Sequence, residues 1–123
     1  MSDKKILVID DDPDILESVS AILSSEGFSI TTALDGKDGF EKFQSVNPDL
    51  VLCDMMMERV DAGIKVAEMI RKEDTKVPVY LLSSVGNATA GNISISELGF
   101  NGVFQKPVDP DALIAQVKKA MGI

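Results

Sequence analysis

Two short segments, "ILVI" at 6–9 and "LVLC" at 50–53, are apolar at every position, with no polar side chain between neighbours. A strand of this kind presents oil to both of its faces and has to be covered on both, which is what a parallel sheet clothed by helices provides. The segments around them keep that alternation of strand and helix. "KILVID" (5–10) predicts the first strand, "SITTA" (29–33) a weaker second, "LVLCD" (50–54) the third, "VYLLS" (79–83) the fourth and "GVFQ" (102–105) the fifth.

Helical stretches separate them. After the first strand, Asp12 is placed to cap a helix with Pro13 in its first turn, a pairing that suits helix entry. Ile15, Leu16, Val19, Ile22 and Leu23 then recur on one helical face, with Gly27 as the expected stop. A second helix is expected over about 36–45 with Phe40 and Phe43 inward, closed by "NPD" at 47–49. A third is expected over 63–73 with Val66, Ala67 and Ile70 inward. The last is "DPDALIAQVKKAMG", with Asp109 as cap and Pro110 at its first position. The Gly-, Asn- and Ser-rich stretch 86–99 carries the poorest signal and is assigned a short helix. The resulting fold class is α/β: a flavodoxin-like, doubly wound (βα)5 three-layer sandwich, parallel sheet order 2-1-3-4-5, joined by right-handed crossovers. A chain of 123 residues fits one such domain, 1–123.

Composition narrows the chemistry. The chain has no histidine, which removes Ser-His and Cys-His nucleophilic catalysis and any His-ligated metal. Its net charge of −8 argues against nucleic acid as a direct partner, because phosphate neutralisation needs Lys and Arg. A single cysteine, Cys53, excludes an internal disulfide and reads as a small buried strand residue. No segment approaches a membrane span and the start lacks a signal-peptide core, so the expected location is cytoplasmic.

In open parallel sheets ligands bind beyond the carboxyl ends of the strands, at the switch point between the first and third. That rule gathers Asp10 and Asp11 after the first strand, Asp54 at the end of the third, Ser83 at the end of the fourth and Lys106 just past the fifth. Carboxylates held close together repel, and the repulsion is relieved when a small divalent cation sits among them. Mg²⁺ suits such a site because it takes one or two carboxylates together with waters and phosphate oxygens. With a hydroxyl and a lysine beside it, the set has what phosphoryl transfer needs, where positioning and charge neutralisation dominate. Asp54, isolated at the end of a buried strand, is the candidate nucleophile; Asp10 and Asp11 are candidate metal ligands.

These residues carry a resemblance. "ILVIDDDP", "PDLVLCDMMM", "VPVYLLSS" and "GVFQKP", in that order across essentially the whole chain, resemble the receiver domain of bacterial two-component response regulators. The resemblance implies a phosphorylation-dependent signalling switch rather than a substrate-turning enzyme, receiving its phosphoryl group from a sensor histidine kinase or histidine phosphotransfer protein. It implies Asp54 as phosphoacceptor, Asp11 as direct Mg²⁺ ligand, Asp10 acting through a water and the Met56 carbonyl as backbone ligand. It further implies Ser83 as the residue that follows the phosphoryl group on activation, Lys106 as the partner of the free or phosphorylated carboxylate, and a cis peptide between Lys106 and Pro107. Output would pass through the surface formed by the helix in 86–99, the fifth strand and the last helix, to a downstream protein or an onward relay. Because the chain ends at Ile123, just after the last predicted helix, the expectation is a stand-alone domain.

The chain departs from the family pattern in three places. Val103 stands three residues before Lys106, where the family usually has an aromatic switch residue, and Phe104 points to the opposite strand face. Glu58 stands where a proline is common, and the loop before Gly63 runs one residue longer. Met56 and Val85 flank the site with apolar groups that can neither orient nor deprotonate water, predicting a long-lived aspartyl phosphate. The competing readings are a phosphorylation-independent adaptor of the same fold and a small phosphatase with an aspartate nucleophile; a flavin module is excluded by acid where phosphate would bind.

Overall fold

The computed structural model describes residues 4–54, 62–74, 76–83, 100–105 and 109–122. In chain order the elements are β1 (Lys5–Ile9), α1 (Pro13–Ser24), β2 (Ser29–Ala33), α2 (Gly36–Val46), β3 (Leu50–Asp54), α3 (Ala62–Glu73), β4 (Val79–Ser83), β5 (Gly102–Gln105) and α4 (Pro110–Met121). The five strands form one sheet in the order β2-β1-β3-β4-β5, every neighbouring pair parallel. This is the doubly wound arrangement expected from the strand pattern. The helix expected within 86–99 lies outside the described residues.

The non-alternating strands do what their composition requires. Ile6, Leu7, Val8 and Ile9, like Leu50, Val51, Leu52 and Cys53, have no exposed surface, so both faces of β1 and β3 are sealed. Strand alternation divides their side chains between two cores. Leu7, Ile9, Val51 and Cys53 pack with Phe43, Val66, Ala67 and Ile70 of α2 and α3. Ile6, Val8, Leu50 and Leu52 pack with Leu16, Val19 and Leu23 of α1 and with Leu113 and Val117 of α4. Fully burying each such aliphatic side chain contributes roughly 1.5–3 kcal/mol, so these central strands are the anchor of the fold. Edge strand β2, "SITTA", is only partly covered, in keeping with its weaker apolar pattern.

Helix entry follows the cap signals. Asp12 Oδ1 accepts from the Asp14 N–H at 2.9 Å, with Pro13 opening α1. Asp109 Oδ2 accepts from the Ala112 N–H at 3.2 Å, with Pro110 opening α4. Helix α2 ends on Asn47 in the left-handed region, φ 57°, which lets the chain turn into "PD" and β3. Helix α1 spans Pro13–Ser24 and is closed, as expected, by Gly27, φ 93°, whose N–H donates to the Ser24 carbonyl at 3.0 Å. The Phe28 N–H reaches back to the Leu23 carbonyl at 3.4 Å, completing a helix end that uses glycine in its left-handed position.

At the amino-terminal end of the sheet, Arg71 of α3 ties three segments together. Its Nη1 donates to the Val77 carbonyl at 2.7 Å and the Asp74 carbonyl at 3.2 Å, and its Nη2 donates to Asn101 Oδ1 at 2.9 Å. Asn101 Oδ1 also accepts from the Val79 N–H, fixing the start of β4 beside the approach to β5. Burial lowers the Arg71 pKa from its ordinary value, and the charge of Asp74 partly opposes that shift.

Candidate metal and phosphoryl site

The register of the central strands builds the site. Ile9 of β1 is paired with Cys53 of β3, so Asp10 and Asp54 stand side by side one position further on. Asp10 continues the ladder beyond β1, its N–H donating to the Ala33 carbonyl at 3.0 Å. Its Oδ1 accepts from the Asp12 N–H at 2.9 Å, which orients the carboxylate as the chain turns into α1. The Asp12 carbonyl then accepts from the Ile15 and Leu16 N–H groups. Residues 10–12 are therefore held at both ends: by the sheet before them and by the helix after them.

Asp10 is fully buried and Asp54 only 5% exposed, whereas Asp11 faces solvent. Carboxylate oxygens of Asp10, Asp11 and Asp54 all lie within 4.8 Å of one another. Bringing like charges this close, two of them nearly out of water, is costly unless positive charge joins them. Three hard oxygen donors at the open rim of the sheet fit a hard divalent cation, and leave room in its coordination for waters or phosphate oxygens. The donor set contains no soft sulfur or imidazole ligand, which favours this class over a transition metal.

Comparison with known proteins agrees with this geometry. Residues 6–118 match the model of the response regulator receiver domain. The chain belongs to that family. It is 36% identical over 118 residues to the probable transcriptional regulator ycf27 of Cyanophora paradoxa, covering 96% of this chain and 48% of the relative. It is 31% identical over 115 residues to the alkaline phosphatase synthesis transcriptional regulatory protein PhoP of Bacillus subtilis, covering 94% and 47%. The chain thus spans about half the length of the curated relatives it matches. Those relatives are transcriptional regulators, which the expectation of a stand-alone domain with no nucleic-acid partner did not anticipate. Among solved structures, response regulator protein TrrA of Thermotoga maritima, in complex with Mg²⁺-BeF, superposes with a TM-score of 0.81 at 34% identity, over 95% of this chain and 98% of that one.

Of the residues singled out in the sequence, the receiver domain brings Asp10, Asp11 and Asp54 together. Ser83 is the last residue of β4 and is paired in register with Gln105, the residue before Lys106. Met56, Val85, Lys106 and Pro107 lie outside the described residues. Two features escaped the sequence reading. Asp35 caps α2 on the same rim, its Oδ1 accepting from the Asp38 N–H at 2.7 Å; the spacing "DGKD", an Asx residue three before a first-turn acid, carried that signal. The second is Tyr80, whose side chain lies between β5 and α4. Among the described residues no helix is long and apolar enough to cross a membrane.

Proposed function

We propose that this receiver domain is a phosphorylation-dependent switch in which Asp54 accepts a phosphoryl group from a sensor histidine kinase or a histidine phosphotransfer protein. The observation that carries the reading is the convergence of Asp10, Asp11 and Asp54, with Asp54 nearly buried at the end of the central strand. A carboxylate oxygen of Asp54 attacks phosphorus; the new P–O bond forms as the P–N bond to the donor imidazole breaks, and the released nitrogen takes up a proton. Asp10, Asp11 and Asp54, with the Met56 carbonyl, would hold Mg²⁺, which supplies positive charge to the carboxylates and the phosphoryl oxygens. Ser83 and Lys106 are assigned to the phosphoryl oxygens, the hydroxyl as a hydrogen-bond donor and the ammonium as a point charge. The Lys106–Pro107 bond is assigned as cis.

The switch acts by shifting a pre-existing equilibrium of its output face, and no separate substrate is turned over. Transcriptional regulation, the role that names its relatives, is the output class we assign to a protein carrying this domain. The domain's own acidic surface argues for protein contact as its immediate step. A cytoplasmic location goes with this reading, since a kinase-coupled acyl phosphate serves intracellular signalling.

Intact mass after incubation with Mg²⁺ and phosphoramidate tests the proposal. One added phosphoryl group, hydroxylamine-labile and missing from Asp54→Asn, is the expected result. A folded, Mg²⁺-binding protein that never gains mass would point instead to the phosphorylation-independent adaptor. Turnover of p-nitrophenyl phosphate would point to the phosphatase.

A further inference from the structure

The family's aromatic switch position holds Val103 here, and Val103 packs into the core on the α2–α3 side of the sheet. Phe100, just before β5, shares that side, while Tyr80 and Phe104 of the strands themselves lie on the other. Tyr80 of β4 and Phe104 of β5 belong to the core beneath α1 and α4, their ring centroids 5.4 Å apart at an interplanar angle of 37°. Such a tilted pair is an attractive contact in its own right.

The pair is continuous with the acidic site. Asp54 is in register with Leu82, and Leu82 is in register with Phe104. Alternation puts all three on the same sheet face, since Leu52, Leu82 and Phe104 share the α1–α4 core. Leu82 at the centre of this row is fully buried, and Phe104 beside it is partly buried. At its far end Tyr80, 7% exposed, turns from the sheet to the helix: its hydroxyl accepts from Gln116 Nε2 of α4 at 3.0 Å. Gly102 makes room for that ring. A Cβ at Gly102 would lie 2.7 Å from Tyr80 Cε2 and 3.0 Å from Cδ2, so any side chain there would push the ring off the strand.

We infer that Asp54, Leu82, Phe104, Tyr80 and Gln116 form a relay that carries the state of the phosphoacceptor to helix α4 through the face of the sheet opposite Val103. The inference rests on the phosphoacceptor reading of Asp54. Its physical content is a shift of the β4–β5 edge that moves the Phe104–Tyr80 pair and changes the Tyr80–Gln116 bond, loosening the attachment of α4. A relay changes at both of its ends together, and both ends are read in the experiment.

Tyr80 is the only tyrosine in a chain without tryptophan, so tyrosine emission reports this ring alone. The experiment follows intact mass, Tyr80 emission and amide exchange of the α4 peptide together as Mg²⁺ and phosphoramidate are added. The expected result is an emission change that tracks adduct formation, faster exchange in α4, and neither response in Asp54→Asn. Tyr80→Phe, which keeps the ring pair but loses the hydroxyl, gains the adduct and loses the exchange response; Gln116→Leu, cutting the same bond from the helix side, gives the same loss. An adduct that forms while Tyr80 emission stays constant overturns the relay, as does a Tyr80→Phe protein with the full exchange response. Absence of any adduct in the unsubstituted protein overturns the phosphoacceptor reading and the relay with it, and is recognised by mass rather than by a silent tyrosine.

Discussion

The two ends of the sheet both gather charged side chains, and they handle them in opposite ways. At the amino-terminal end, Arg71 spends its donors on the carbonyls of Asp74 and Val77 and on Asn101, each a neutral acceptor fixed by the chain. Asp74 Oδ1 in turn accepts from the Lys76 and Val77 N–H groups. This is a corner stitched by main chain, and its chemistry is complete within the fold. At the carboxyl end, three carboxylates of like sign are drawn within 4.8 Å of one another. Charge matched to fixed neutral partners builds structure; charge gathered against its own repulsion builds a place for something else.

That contrast is best broken by exchanging the roles of the two ends through substitution. The largest expected effect is at the acidic end: Asp54→Asn abolishes the phosphoryl adduct, read by intact mass, while the thermal midpoint stays or rises as repulsion is relieved. Next, Asp11→Asn weakens Mg²⁺ binding by at least about ten-fold in a calorimetric titration, the loss that even an outer-shell change costs a metal site. At the opposite end the pattern inverts. Arg71→Ala removes the donors to the Val77 and Asp74 carbonyls and one of the two to Asn101 Oδ1, lowering stability by about 1–3 kcal/mol in urea denaturation, and leaves Mg²⁺ affinity unchanged. An Arg71→Ala protein with intact stability but weak Mg²⁺ binding would erase the distinction between the two ends.

A finer probe sits between them. An added Cβ at Gly39 would lie 2.6–3.0 Å from the side-chain carbons of Ile9, directly before Asp10. Gly39→Ala therefore overpacks the α2–β1 contact, costing about 1–3 kcal/mol in denaturant, and disturbs Mg²⁺ binding less than Asp11→Asn does. The smallest expected effect is Asp35→Asn on the same rim. Both side chains cap helices well, so stability should change by less than about 0.5 kcal/mol.

The acidic end was legible in the sequence because its logic is local. Strand periodicity put Asp10 and Asp54 at the ends of buried runs, and the rule for parallel sheets placed those ends together. Cap residues such as Asp12 and Asp109 announced themselves by residue type and by the proline that follows. Arg71 and Asn101 were not legible, because their contact joins residues thirty positions apart whose types are common on any surface. Tyr80 was missed for a related reason: "VYLLS" reads as a buried strand, and only the register with Gly102 shows where its ring can go. The parity argument did separate Val103 from Phe104, which pack into different cores. Gly27 was legible as the stop of α1: its φ is positive, and its N–H and that of Phe28 take up the last carbonyls of the helix.

The central claim is that one carboxylate of the three is the chemical acceptor while the other two serve only the metal. Borohydride reduction of the phosphorylated protein converts an acyl phosphate to the corresponding alcohol, and peptide mass analysis then locates it. The account predicts a single reduced residue, at Asp54, formed only when Mg²⁺ and phosphodonor are both present. Reduction at Asp10 or Asp11, or a distribution over the three, would contradict it.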